Sequence, residues 1–364
     1  MPSSAQFDPW QVPEGGFRSD ADNRAAGRSC LQVEVIENVE PLDRQFGVLP
    51  KKTVPNALHD VLFGQPAPNE AEIAAAVPAM LTFAILDATK VVNLPELLSA
   101  SGLEHGCLFK DKSYDELKNV APWVVRLEEN NDFTRRLFTG PDGINGLWDK
   151  EPGIYVRSRE TLDDMWRHFR RFTRVQDENG KWFYFRFWEA RAATDTFLSY
   201  FDDNLAGIFK NVSCFIVPNG AQTYRLSISG SLLTTPRLIL TERGKQNYLA
   251  RRQTRLSSQI AKHFLTLPEF QKIDERDMLV RVDQYVTKGL ELGFREGADL
   301  FVFSLGVCLS ENPKALLADI EQINADRSMC AAERQERILK SVSVPIERAK
   351  QNAGDNNNIS GEAE

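Results

Sequence analysis

Residues 153–191, GIYVRSRETLDDMWRHFRRFTRVQDENGKWFYFRFWEAR, decide how this 364-residue chain folds. Gly153–Arg157 alternates and is rich in β-formers, which predicts a strand. Thr161, with Asp164 three residues on, opens a helix with a capping box. Leu162, Met165, Trp166, Phe169 and Phe172 then recur at helical spacing. Asn179-Gly180 tolerates positive φ and predicts a hairpin turn between Val175-Gln176 and Trp182–Trp188. The unit therefore reads strand, helix, hairpin. Six of the eleven residues from Lys181 to Arg191 are aromatic, so this surface needs a partner. Strand alternation puts Phe183, Phe185 and Phe187 on one face, the expected core, and Trp182, Tyr184, Arg186 and Trp188 on the other.

Upstream, Leu31–Ile36 reads as a strand, Pro55–Phe63 as a short helix and residues 65–69 as a linker, with helix resuming near Asn69–Ala76. Strands follow at Thr82–Leu86, Gly106–Phe109 and Pro122–Leu127. Between them lie a helix capped by Asn93, one opened by Ser113 and Glu116, and Asp132–Phe138. After the hairpin come a helix at Ala193–Phe201 and strands at Val212–Pro218 and Tyr224–Ser229. Alternating strands and helices predict a mixed sheet covered by helices over residues 31–240. Residues 241–350 read as helix only. The helices fall at Gln246–Phe264, from Pro268 with Thr266 as cap, and at Arg276–Leu292, Ala298–Leu309, Pro313–Ile323 and Ala331–Val342. The expected class is α+β with an all-α C-terminal lobe. Residues 1–30 are expected to be a disordered segment and 351–364 a polar disordered tail.

Composition narrows the function. A net charge of −7 argues against a nucleic-acid partner, since phosphate binding wants a basic surface. No apolar run is long enough to span a bilayer and no signal peptide opens the chain, so a cytoplasmic protein without a membrane partner is expected. The five cysteines are scattered, without a C-x-x-C, and read as reduced thiols. The four histidines are far apart. No metal-ligand spacing, P-loop, dinucleotide fingerprint or nucleophile elbow occurs, so no catalytic site, metal or cofactor is expected. Asp163-Asp164 suits the start of a helix, where the dipole favours negative charge. Glu128-Glu129 reads as a solvated turn.

Arginine is concentrated in the same central stretch. Arg157, Arg159, Arg167, Arg170, Arg171, Arg174, Arg186 and Arg191 fall within 35 residues. They read either as partners of Glu160, Asp163, Asp164, Asp177, Glu178 and Glu189, or as a docking face, since Arg and aromatics dominate protein–protein hot spots. The partner-binding candidates are Arg157, Arg170, Arg174, Arg186, Trp188 and Arg191. Second choice is the basic helix carrying Arg251, Arg252 and Arg255.

Several pieces in order resemble a known family. They are Ala84-Ile85-Leu86-Asp87-Ala88, Ser101-Gly102-Leu103-Glu104-His105, Cys107-Leu108-Phe109, residues 121–127, Arg157-Ser158-Arg159, Arg170-Arg171-Phe172, residues 175–182 and Phe185-Arg186-Phe187-Trp188. Together, over about residues 80–220, they resemble the domain-of-unknown-function family whose members act as chaperones and adaptors for type VI secretion effectors. Where that family usually reads Asp-Pro-Arg, this chain has Glu189-Ala190-Arg191. The resemblance implies a non-enzymatic cytoplasmic adaptor. It would bind one effector, keep it soluble and help load it onto the VgrG spike, so effector and spike are the implied partners. The alternatives are an enzyme with an acid/base site around Asp87, Arg186 and Glu189, or an effector or immunity protein of the same system.

Overall fold

The structure, a computed structural model, describes residues 30–68, 70–110, 112–143, 145–201, 205–219, 222–230 and 237–359. Residues 1–29 of the expected disordered segment and 360–364 of the expected tail lie outside the described residues. The chain divides into two compact units between Tyr248 and Leu249.

The first unit runs β1 (Cys30–Ile36), α1 (Asn56–Phe63), α2 (Glu70–Ala74), β2 (Leu81–Asp87), α3 (Leu94–Ser101), β3 (His105–Cys107), α4 (Lys112–Leu117), β4 (Pro122–Leu127) and α5 (Asp132–Leu137). It continues with β5 (Gly153–Ser158), α6 (Leu162–Arg170), β6 (Arg174–Asp177), β7 (Trp182–Tyr184), α7 (Ala190–Tyr200), β8 (Val212–Asn219), β9 (Gln222–Ser229) and β10 (Ile239–Leu240). Seven strands form one sheet in the order β1-β9-β8-β5-β2-β4-β3. The class is α+β, as expected. The large sheet is antiparallel at every pairing, however, and not mixed. Helix α3 does carry the chain back so that β2 and β3 point the same way. Strand β4 then inserts between them, antiparallel to both, and no parallel pair forms. The mixed sheet is the small one, β10-β6-β7, where β10 pairs parallel to β6 and β7 pairs antiparallel.

Both faces of the large sheet are covered. Alternate residues of β2 sort accordingly: Phe83 and Ile85 pack with Met165 and Phe169 of α6 and Phe197 of α7. Ala84 and Leu86 pack with Leu58 of α1, Leu94 and Leu98 of α3 and Phe133 of α5. This explains why β2, β4 and β5 read as near-continuous apolar runs despite being antiparallel.

Local chemistry sets several boundaries. Thr161 accepts a hydrogen bond from the Asp164 amide at 3.2 Å, so the expected cap of α6 forms. Asn131, not singled out from the sequence, caps α5 by accepting from the Phe133 and Thr134 amides. Asn93 does not cap α3 by its side chain, because it takes a left-handed conformation with φ of 57°. Ser113 lies inside α4 and not ahead of it. Gly180 takes φ of 76° in the hairpin turn. Its partner in shaping the turn is Asp177, whose Oδ1 accepts from the Asn179 and Lys181 amides, both at 3.0 Å. Strand β7 ends at Tyr184, earlier than Trp188. The alternation therefore holds for buried Phe185 and Phe187 and exposed Trp182 and Tyr184, but fails at Trp188, which is 3% exposed.

Helix α8 (Glu242–Leu265) crosses the division between the units. The second unit continues with α9 (Glu275–Glu291), α10 (Gly297–Leu309), α11 (Pro313–Ala325) and α12 (Ala331–Ile359). No strand follows Leu240 among the described residues. Phe264, Met278, Val282 and Val286 form one core cluster, and Phe294, Phe303, Ile338 and Val342 belong to another. Thr266 does not cap the short turn at Pro268–Phe270; its hydroxyl donates back to the His263 carbonyl at 2.7 Å. Helix α12 passes through Pro345 and enters the segment expected as a tail. A proline removes one hydrogen bond from such a ladder and leaves the others in place.

Candidate protein-docking surface

The six arginine and tryptophan candidates of the central stretch separate into three groups. Arg157, on β5, is 4% exposed. Its guanidinium donates to the carbonyls of Leu62 and Gly64 at the end of α1, and to Thr82 Oγ1 at 2.7 Å. It ties α1 to the sheet, and burial pushes its pKa down. A buried brace cannot also be a docking residue, so Arg157 leaves the candidate set.

Arg186 and Trp188 form the second group, around Asp87 at the end of β2. Asp87 Oδ2 accepts from Arg186 at 2.6 Å and from Trp188 Nε1 at 3.2 Å. Its Oδ1 accepts from the Thr89 amide and hydroxyl at 2.9 and 2.6 Å. Glu189 lies 3.8 Å from Arg186. Both carboxylate oxygens of the almost fully buried Asp87 are thus occupied. The group clamps the segment after β7 onto the end of the sheet. Arg191 is exposed and pairs with Glu151.

Arg170 and Arg174 make the third group, and here the structure adds residues that were not on the candidate list. Arg170 lies with its guanidinium carbon 4.5 Å from the Trp166 ring centroid. Arg174 lies over both Trp182, at 5.2 Å, and Tyr184, at 5.7 Å. Arg237, just before β10, lies over Trp182 at 4.6 Å. Tyr184 in turn contacts Phe109 with ring centroids 5.5 Å apart. Phe109 and Trp166 line one groove of about 470 Å³, together with His105, Lys110, Asp115 and Asp163. The result is a chain of stacked cations and rings across the hairpin and the β3 edge. Trp182 and Tyr184 are 45% and 53% exposed.

Trp166 is fixed at this edge by its neighbours. Its indole donates to the Cys107 carbonyl at 2.6 Å. The indole lies so close to β3 that a Cβ on Gly106 would meet it at 2.9 Å, so only glycine leaves room. Cys107 beside it is no nucleophile at neutral pH, because burial pushes its thiol up to about 11. Arg170, Arg174 and Arg237 make no ion pair with any described residue. The Nε of Arg170 is buried without a hydrogen-bond partner. Cations stacked on rings and lacking carboxylates suit recognition of another molecule.

Residues 82–204 match the family described as Domain of unknown function (DUF4123). No curated protein and no solved structure matches the chain. The DUF4123 match runs from β2 to just beyond α7, and so contains Phe109, Trp166, Arg170, Arg174, Trp182 and Tyr184. Arg237 lies outside it. The quoted motifs Ala84–Ala88 and Phe185–Trp188 meet at the Asp87 clamp, and Arg157-Ser158-Arg159 supplies the brace of α1. Glu189, which departs from the usual pattern, sits at the start of α7, where its carbonyl accepts from the Ala192 and Ala193 amides.

The second-choice set belongs to the other unit. Arg251 and Arg252 are exposed on α8, and Arg255 is half-buried there. Among the described residues no group of three or more His, Cys, Asp or Glu could hold a metal ion. No described helix is long and apolar enough to cross a membrane. All five cysteines are free, and Cys330 is exposed.

Sequence reasoning found Arg170 and Arg174 through their density but not the rings beneath them. Trp182 and Tyr184 carried a signal, alternation against the phenylalanines. Phe109, Trp166 and Arg237 carried none, because they join the surface only through strand pairing and tertiary packing.

Proposed function

We propose that this protein is a cytoplasmic, non-enzymatic adaptor of a type VI secretion system. It binds one effector, keeps it soluble and helps load it onto the VgrG spike. The observation that carries the reading is the DUF4123 match over residues 82–204, a family associated with type VI effector adaptors. The exposed cation–aromatic surface inside the matched segment supports it, since Arg, Trp and Tyr are the residues that concentrate binding energy in interfaces.

The test uses the full chain in its native host. Affinity-tagged protein should co-purify one effector, with VgrG present when the effector is present. Deleting the gene should abolish secretion of that effector alone. Recovery of neither effector nor spike, with secretion unchanged, refutes the adaptor reading.

A further inference from the structure

Strand β7 is the last strand of the small sheet, and among the described residues no strand pairs with its other side. Its pairing with β6 is antiparallel, with Gln176 opposite Trp182 and Arg174 opposite Tyr184. The Asp177 amide donates to the Lys181 carbonyl, and the Phe185 amide to the Thr173 carbonyl, both at 3.0 Å. Hydrogen-bonded pairs alternate along an antiparallel ladder. Residues 181, 183 and 185 therefore face β6, and the main-chain groups of Trp182 and Tyr184 face the open edge. Their side chains lie on the exposed face, the face that also carries Arg174.

The exposed face of this small sheet carries positive charge, which reaches over the β7 rings from β6 and from just before β10. Arg174 and Arg237 both lie against Trp182, at 5.2 and 4.6 Å, and neither is ion-paired to a described residue. Two guanidiniums held near one ring make the surface locally positive, and a nearby anion would be attracted to both. Arg170 adds a buried N–H without an acceptor. The groove beside it is lined by two acidic side chains, Asp115 and Asp163, together with Lys110, Trp166 and His105.

From this we propose that the client's recognised element is an extended acidic segment that adds to β7 as a further strand. This rests on the adaptor reading and names the chemistry of its partner. Such a segment would exchange main-chain hydrogen bonds with Trp182 and Tyr184. Every second side chain would then project onto the exposed face of the hairpin. Carboxylates at those positions meet Arg174 and Arg237 in charge-assisted hydrogen bonds, and the exposed rings cover the aliphatic parts between them.

The test titrates the full chain, at low salt, with a synthetic peptide of Glu-Thr repeats about ten residues long, the length of an ordinary strand. Controls are a Lys-Thr peptide of equal length and the Glu-Thr peptide N-methylated at alternate residues. The Glu-Thr peptide should bind and weaken as salt rises. The Lys-Thr peptide should bind at least roughly tenfold more weakly, the scale of one charge-assisted hydrogen bond. The double variant Arg174→Gln with Arg237→Gln should lose about as much while keeping its melting temperature. Arg251→Gln with Arg252→Gln should bind like the parent. Equal affinity for both charges, or no loss in the first double variant, overturns the proposal. Undiminished binding of the N-methylated peptide overturns strand addition. If the parent pulls down its effector and Arg174→Gln with Arg237→Gln does so equally well, this inference fails while the adaptor reading stands. If the parent pulls down none, the adaptor reading itself fails.

Discussion

His168, on α6, offers a measurable link between this fold and pH. It is 8% exposed, and its Nε2–H donates to the Ile208 carbonyl at 2.8 Å, while Nδ1 accepts from Arg171 at 3.3 Å. Burial holds its pKa down at about 4, against 6.5 for a free imidazole. The unfolded chain therefore binds a proton between these values that the folded chain refuses, and stability rises with pH across that window. The contribution is complete above pH 6.5 and is lost as pH falls through 6.5 toward 4. From the two pKa values the loss is about 2 kcal/mol by pH 5 and about 3 kcal/mol by pH 4. Exposed His59 works in the opposite direction, because hydrogen bonds that its ring donates to Glu129 and Asp60 raise its pKa. Comparison with His168→Gln removes that background, since glutamine can still donate to Ile208 but does not titrate. All six tryptophans precede residue 249, so tryptophan fluorescence in urea reports on the first unit. The stability gap between parent and His168→Gln should shrink by about 2 kcal/mol between pH 7 and pH 5. A gap that stays constant over that range refutes the assignment of a neutral, buried His168.

Phe187→Ala should cost about 3–5 kcal/mol in the same fluorescence assay, because the side chain is fully buried against Phe169, Phe185 and Trp188; a loss under 1 kcal/mol or so would show that the cavity collapses. Arg157→Met should lower stability by at least about 2 kcal/mol, since the Gly64 carbonyl and the Thr82 hydroxyl lose the Arg157 donor and the Leu62 carbonyl keeps only the Thr82 hydroxyl, and an unchanged urea midpoint would show that α1 is held by packing alone. Asp87→Ala should strand the Trp188 indole and free Arg186, raising proteolysis within residues 185–189; an unchanged cleavage pattern would mean that the clamp is redundant. Arg174→Glu with Arg237→Glu should abolish effector co-purification with the melting temperature shifted little, because both side chains are exposed.

Much of the architecture was legible along the chain. The helix from Thr161, the hairpin at Gly180, the strands Leu81–Asp87 and Pro122–Leu127 and the helical second unit all follow from signals within ten or so residues. Capping, periodicity and turn chemistry act over that distance. The class followed as well, because strands confined to one part of a chain, with a helix-only stretch after them, imply α+β. Only the tertiary structure decided which neighbour each strand takes. Inserting β4 between β2 and β3 leaves no mark on any of the three sequences, since a strand buried on both faces reads the same beside either partner. The same limit governs the arginines. Arg157 and Arg174 are equivalent as letters in a basic run. One is drawn under α1 by carbonyls from residues 62 and 64, and the other is left on an exposed face over Trp182 and Tyr184. Burial and stacking depend on groups far away in sequence, so the chain announces how much charge and aromatic surface it has, and the fold settles which of it stays exposed.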